Sequence, residues 1–115
     1  MRSDRMRRVD EAIRQVIGDV VASELKDPRV GFVTVTDVRT SPDLRHARVF
    51  VSVLGDEQAR GATLDGLRSA HGYVQGRLAD ELHLKRTPEL TFSYDDTTDR
   101  AMRLGSLLDD RAGES

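Results

Sequence analysis

The chain has no cysteine and no tryptophan, and only five aromatic side chains and three prolines among its 115 residues. Without cysteine, neither a disulfide framework nor a thiolate metal site can form. Its histidines, His46, His71 and His83, are never at metal-ligand spacing, such as the i, i+4 pair of a zinc helix. The aromatics are Phe32, Phe50, Phe92, Tyr73 and Tyr94, most of which read as core, so a base-stacking sheet of the RRM kind has little support. No apolar run approaches the ~18 residues of a spanning helix, and no signal-peptide pattern appears at the N-terminus. A cytoplasmic protein without a membrane partner is expected. No serine sits in a nucleophile-elbow pattern and no Gly-Lys-Ser/Thr phosphate loop is present. The carboxylate pairs Asp95-Asp96 and Asp109-Asp110 offer magnesium ligands on paper. Neighbours on a strand point to opposite faces, however, and capping or solvation accounts for these residues. The expectation is a protein that is not an enzyme and holds no metal or cofactor.

What the chain does have is charge. One third of its residues are charged, and the net charge is −2. Residues 1–50 carry 10 basic and 8 acidic side chains, residues 51–115 carry 8 and 12, and all the basic residues except Lys26 and Lys85 are arginine. Arginine's planar fork suits phosphate recognition; a GC-rich coding sequence would supply the same bias. The length fits one domain, at residues 1–110, with a short polar tail at 111–115.

Ser3 or Asp4 can cap a first helix, in which Met6, Val9, Ile13, Val16, Ile17, Val20 and Val21 form an apolar stripe. Arg5, Arg7 and Arg8 crowd its start, where positive charge opposes the helix dipole, which suggests a polyanionic partner. Asp27-Pro28 predicts a type I turn. Residues 32–38 then read as a strand, with Val33 and Val35 on one face and Phe32, Thr34, Thr36 and Val38 on the other. Ser41-Pro42-Asp43 connects to a second strand at 45–54, antiparallel to the first, whose Ala47, Val49, Val51 and Val53 share one face.

Residues 56–84 form the only long helical pattern between strands. Leu64, Leu67, Ala70, Val74, Leu78 and Leu82 recur at steps of three or four, yet Gly61, Gly66, Gly72 and Gly76 interrupt the run. Each glycine costs about 1 kcal/mol against alanine in a helix interior. Close helix–sheet packing explains them, and so does a bend near Ala70-His71-Gly72; periodicity leaves both open. Thr87-Pro88 is expected to end this helix. Residues 89–94 read as a third strand, parallel to the second because a helical crossover joins them. Asp96 can cap a last helix with Met102, Leu104, Leu107 and Leu108 as its apolar positions. The sheet is expected to be three-stranded and mixed, with helices on one face.

Several blocks, in order, resemble the ribosome-binding factor A family of bacteria. They are Ser23-Glu24-Leu25-Lys26-Asp27-Pro28-Arg29-Val30-Gly31 with Val33-Thr34-Val35-Thr36-Asp37-Val38, then Ser41-Pro42-Asp43-Leu44 with Ala47-Arg48-Val49-Phe50-Val51-Ser52-Val53-Leu54, and finally Pro88-Glu89-Leu90-Thr91-Phe92-Ser93-Tyr94-Asp95. The resemblance covers about residues 4 to 108. It implies an α+β, type II KH-like fold, α–β–β–α–kink–α–β, with an Ala-x-Gly kink at Ala70-His71-Gly72 in place of the usual Gly-x-x-Gly loop. It further implies a monomeric assembly factor that binds the free small ribosomal subunit and its ribosomal RNA. Such factors aid late maturation and 5′-end processing, support growth in the cold, and are released by an assembly GTPase.

A helix restarting at Gly72 would offer free backbone N–H groups to a phosphate. The expected RNA-binding residues are therefore Ala70, His71 and Gly72 with Arg68 and Arg77, then Arg5, Arg7 and Arg8, then Arg45, Arg48, Lys85 and Arg86. The alternative function is a protein-interaction module of the ribosome that makes no direct RNA contact.

Overall fold

The computed structural model describes residues 3–96. Its first helix, α1 (Asp4–Ser23), starts where the Ser3 hydroxyl accepts the Met6 N–H at 3.2 Å. Ile13, Ile17, Val20 and Val21 are buried from its stripe. Asp10 is buried on the same helix, and its carboxylate accepts the Thr40 N–H at 2.9 Å, which ties the first half of α1 to the end of the first strand. After α1 the Asp27 carbonyl accepts the Val30 N–H at 3.0 Å and its carboxylate accepts the Arg29 N–H at 2.9 Å. This is the turn that Asp27-Pro28 predicts.

Strand β1 (Val33–Thr40) pairs antiparallel with β2 (His46–Val53). The register runs Val35↔Val51 and then Asp37↔Phe50, so Thr36 is the extra residue of a β-bulge. The bulge corrects the expected alternation, because Val35 and Val38 are both buried on the same side. The turn between the strands holds Leu44 at φ 62° without a glycine. Its neighbour Asp43 accepts the Ser41 hydroxyl at 2.6 Å and the Arg45 N–H at 3.1 Å, which pins the turn on both sides.

Asp56 caps α2 (Glu57–Ser69) by accepting the Ala59 N–H at 2.9 Å; α3 (His71–Leu82) follows, then β3 (Glu89–Tyr94). Here too the expectation needs correcting. The helix stops at Leu82 because His83 turns left-handed at φ 45°, before Thr87-Pro88 is reached. Strand order is β1-β2-β3, with β3 parallel to β2. Ala47, Val49, Val51, Leu90 and Phe92 are buried with the helix residues Ile13, Ile17, Leu67, Val74 and Leu78. Arg39, His46, Arg48, Ser52 and Thr91 are exposed on the opposite side of the sheet. The helices thus cover one face only. The expected helix after Asp96 and the tail at 111–115 lie outside the described residues.

Candidate nucleic-acid interface

Ala70 is the vertex of the bend. Its backbone sits at φ −87°, ψ 6°, the bridge region in which a helix can end without glycine. Its N–H is shared between the Gly66 and Leu67 carbonyls, both at 3.1 Å, and its own carbonyl accepts the Val74 N–H at 3.0 Å, which opens the next helix. The restart is therefore at His71, one residue earlier than expected. No side chain caps the start of α3, so its first N–H groups and the positive end of its dipole are available to an anion.

The four glycines of this helix pair divide sharply. A Cβ on Gly66 would lie 2.7 Å from Val30 Cγ2 and 3.3 Å from Arg29 Cβ, so Gly66 lets the Asp27–Val30 turn close onto α2. Gly61, Gly72 and Gly76 have nothing within 4 Å of such a Cβ. Gly72 is exposed in the first turn of α3 and does not have a positive φ. Nothing inside the described fold requires glycine there.

Beside the bend runs a groove of about 430 Å³ lined by Arg68, His71, Glu89, Leu90, Thr91 and Phe92. Its floor is the free edge of β3. Gln75 covers part of that edge, donating to the Pro88 carbonyl at 2.7 Å and accepting the Leu90 N–H at 3.1 Å. Further along this edge Arg68 leans on the Phe92 carbonyl at 3.5 Å, and it approaches Asp65 only to 4.0 Å. Its guanidinium keeps most of its donors for a ligand. Sequence reasoning missed Gln75, a polar side chain on an amphipathic helix whose backbone partners lie beyond the next loop.

The other predicted arginines fall elsewhere. Arg45 and Arg48 belong to the hairpin-turn end of the sheet, where Arg48 stands opposite Arg39 in register. Arg39, His46, Arg48, Phe50 and Thr91 line an open cleft on the helix-free face. Thr91 also lines the groove by the bend, so the two depressions meet across β3. Asp10 brings the start of α1 to this end, and Arg7, Arg14 and Arg39 line a cleft there with Asp10, Glu11 and Asp37. Arg7 is itself paired with Asp4. Arg5 and Arg8 are exposed on the same helix. Lys85 and Arg86 are exposed in the loop that delivers Glu89, whose N–H donates to the Arg45 carbonyl at 2.8 Å.

Arg77 is engaged within the fold. It donates to Glu24 at 3.0 Å and to Glu81 at 3.1 Å, and its side chain is only 32% exposed. The Tyr73 hydroxyl also donates to Glu24. That bond, with Arg77 assisting, holds the Glu24 carboxyl below its ordinary value; the same contact raises the Tyr73 phenol. This network staples the end of α1 to α3. Asp95 also has a structural role: its carboxylate accepts the Thr36 hydroxyl at 2.6 Å.

A three-stranded mixed sheet with helices on one face, and a bent helix pair whose second start is uncapped, define a type II KH-like α+β domain. The family pattern of ribosome-binding factor A matches residues 5–108. A ribosome-binding factor A from Halothermothrix orenii is 45% identical over 108 residues, spanning 94% of this chain and 88% of that protein. The crystal structure of ribosome-binding factor A from Thermus thermophilus superimposes with a TM-score of 0.70 at 25% identity, over 77% of this chain and 93% of that one. The solution structure of a putative ribosome-binding factor A from Thermotoga maritima gives 0.72 at 32% identity, over 81% and 89%. The Thermus thermophilus protein as fitted into a map of its complex with the 30S subunit gives 0.63 at 25% identity, over 76% and 91%. This chain belongs to the ribosome-binding factor A family.

Proposed function

We propose that this protein is a non-catalytic assembly factor that binds the free small ribosomal subunit. On this reading it acts late in maturation, aids 5′-end processing of the ribosomal RNA, supports growth in the cold, and leaves when an assembly GTPase releases it. The observation that carries the reading is family membership together with a Thermus thermophilus relative placed in a 30S complex. The bend supplies a chemical means. Backbone N–H groups at His71 and Gly72 receive a phosphate, and Arg68 contacts the next one along the β3 groove. Lys85 and Arg86, the hairpin-turn arginines Arg45 and Arg48, and Arg5, Arg7 and Arg8 add sequence-independent attraction for the backbone. Arg77 contributes to the fold rather than to this surface.

The alternative, a ribosomal protein-interaction module, would most simply add a strand at the β3 edge. Gln75 already occupies two of the outward backbone groups there, which favours the RNA reading. The discriminating experiment is association with protein-free small-subunit rRNA. Binding that Arg68→Gln weakens supports the RNA reading. Association with subunits that survives nuclease trimming, and is unchanged in Arg68→Gln, would replace it with protein-mediated docking.

A further inference from the structure

The cleft on the helix-free face of the sheet has a chemistry of its own, separate from the bend. It holds about 540 Å³, its charged or titratable lining residues are Arg39, His46 and Arg48, and no carboxylate lines it. Arg39 on β1 and Arg48 on β2 are direct cross-strand partners. Like charges placed opposite one another are unfavourable without a counter-anion. Asp37 accepts from Arg39 Nε at 3.1 Å, which orients that guanidinium. Arg48 forms no ion pair among the described residues. The cleft is therefore complementary to an anion.

An anion alone would not need Phe50. This ring lies between Val49 and Val51, both fully buried against the helices, so alternation turns it to the helix-free side. It is half-buried there, lines the cleft, and has the short side chains Asp37 and Ser93 as its cross-strand neighbours. An aromatic face beside two guanidiniums suits a base with its flanking phosphates. Only an unpaired base can reach such a ring, because duplex bases are stacked on one another. A single aromatic gives room for one stacked base, where an RRM-type sheet stacks two or three.

The cleft also continues the groove beside the bend. Thr91 lines both depressions. Arg39, Arg48 and Thr91 stand in one row across the three strands, a width of about 10 Å. A backbone that crosses the β3 edge at Thr91 thus meets both guanidiniums in turn.

We propose that the helix-free face is a second RNA contact, which takes one unpaired nucleotide of a strand that crosses the β3 edge. The base stacks on Phe50, and Arg48 and Arg39 hold its flanking phosphates. The source of that strand, ribosomal RNA, rests on the assembly-factor reading above; the chemistry of the cleft does not.

The test is fluorescence anisotropy of the full chain with a labelled oligouridylate of about ten nucleotides, in about 50 mM salt. Phe50→Leu keeps an apolar side chain and removes the ring face, so it should weaken binding about fivefold or more, and Phe50→Tyr should restore it. Arg48→Gln, at an exposed position, should weaken binding and reduce the salt slope by about 0.7. Urea midpoints identify any variant whose fold is impaired, and Arg48→Gln keeps the test decisive if Phe50→Leu is one of them. Absent binding, binding indifferent to Phe50→Leu in a folded protein, or a salt slope unmoved by Arg48→Gln would overturn the proposal. So would an RNA hairpin stem bound as tightly as the single strand, which would leave phosphate attraction alone. Uridine monophosphate bound as tightly as the oligonucleotide would assign the cleft to a free nucleotide instead. Co-sedimentation with free small subunits separates the two readings. Subunit binding with no Phe50 dependence of oligonucleotide binding overturns this contact only, whereas Phe50-dependent oligonucleotide binding without subunit binding overturns the assembly-factor reading only.

Discussion

Gly66→Ala and Gly72→Ala, six residues apart across the bend, should act on different properties. At Gly66 the new methyl would meet Val30 Cγ2 at 2.7 Å, with Arg29 Cβ at 3.3 Å and the Val30 backbone nitrogen at 3.4 Å just behind it. Relief requires moving the turn itself, which Thr63 and Ser69 hold through bonds to Arg29 of 3.3 and 3.0 Å. Overpacking of this kind costs about 1–3 kcal/mol, partly offset by the ~1 kcal/mol that alanine gains over glycine in a helix. The net is a loss of about 1 kcal/mol, or about 4 °C in Tm for a domain of this size. At Gly72 the methyl meets nothing. Stability should hold or rise by up to about 1 kcal/mol, and the bend should persist because Ala70 makes it. The same methyl nevertheless stands where a phosphate would approach the first turn of α3, so binding to free small subunits should weaken. Urea unfolding and co-sedimentation on both variants separate these effects. A Gly72→Ala protein that is folded and binds as wild type would refute the phosphate site at this helix start. A Gly66→Ala protein as stable as wild type would refute the packing argument.

Three further outcomes follow from named contacts. Gln75→Leu removes the bonds to Pro88 and Leu90 and leaves backbone groups at the β3 edge unpaired, at a cost of about 1–3 kcal/mol; an unchanged urea midpoint would contradict this. The Arg29 side chain and N–H hold the Asp27 carboxyl down from 3.8 to about 2. Its folded value is the depressed one, so its contribution to stability is complete above 3.8 and is lost as pH falls through about 2. Carboxyl-detected NMR titration checks the value, and Asp27→Asn should flatten the stability profile across that window. Arg77→Ala should lower Tm by cutting the α1–α3 staple while leaving the salt dependence of subunit binding unchanged; a shallower salt dependence at unchanged Tm would make Arg77 a phosphate contact instead.

The element order was legible because each element has a local cause. Asp27-Pro28 writes its own turn, Val49, Val51 and Val53 alternate without interruption, and the strand–helix–strand passage dictates parallel pairing. The bulge at Thr36 was not legible, since it exists only in the register between β1 and β2. Nor was the early stop at His83, a histidine held left-handed in the loop leading to β3. Periodicity kept its phase through the bend, so it was family resemblance, not the apolar stripe, that pointed to Ala70-His71-Gly72. Arg68 and His71, which line the groove beside the bend, were singled out by their position next to that motif. Arg77 looked equivalent in sequence, but Glu24, 53 residues away, captures it. One-dimensional charge clustering carries no information about such a partner.

The most direct test of the central claim is co-sedimentation of the purified protein with free small subunits, large subunits and assembled ribosomes over a salt series. Binding should be confined to free small subunits. Four single-strand phosphate contacts would weaken it about fifty-fold between roughly 50 and 200 mM salt. Binding that is flat across the series, or absent at the lowest salt, would contradict an interface built on ribosomal RNA phosphates.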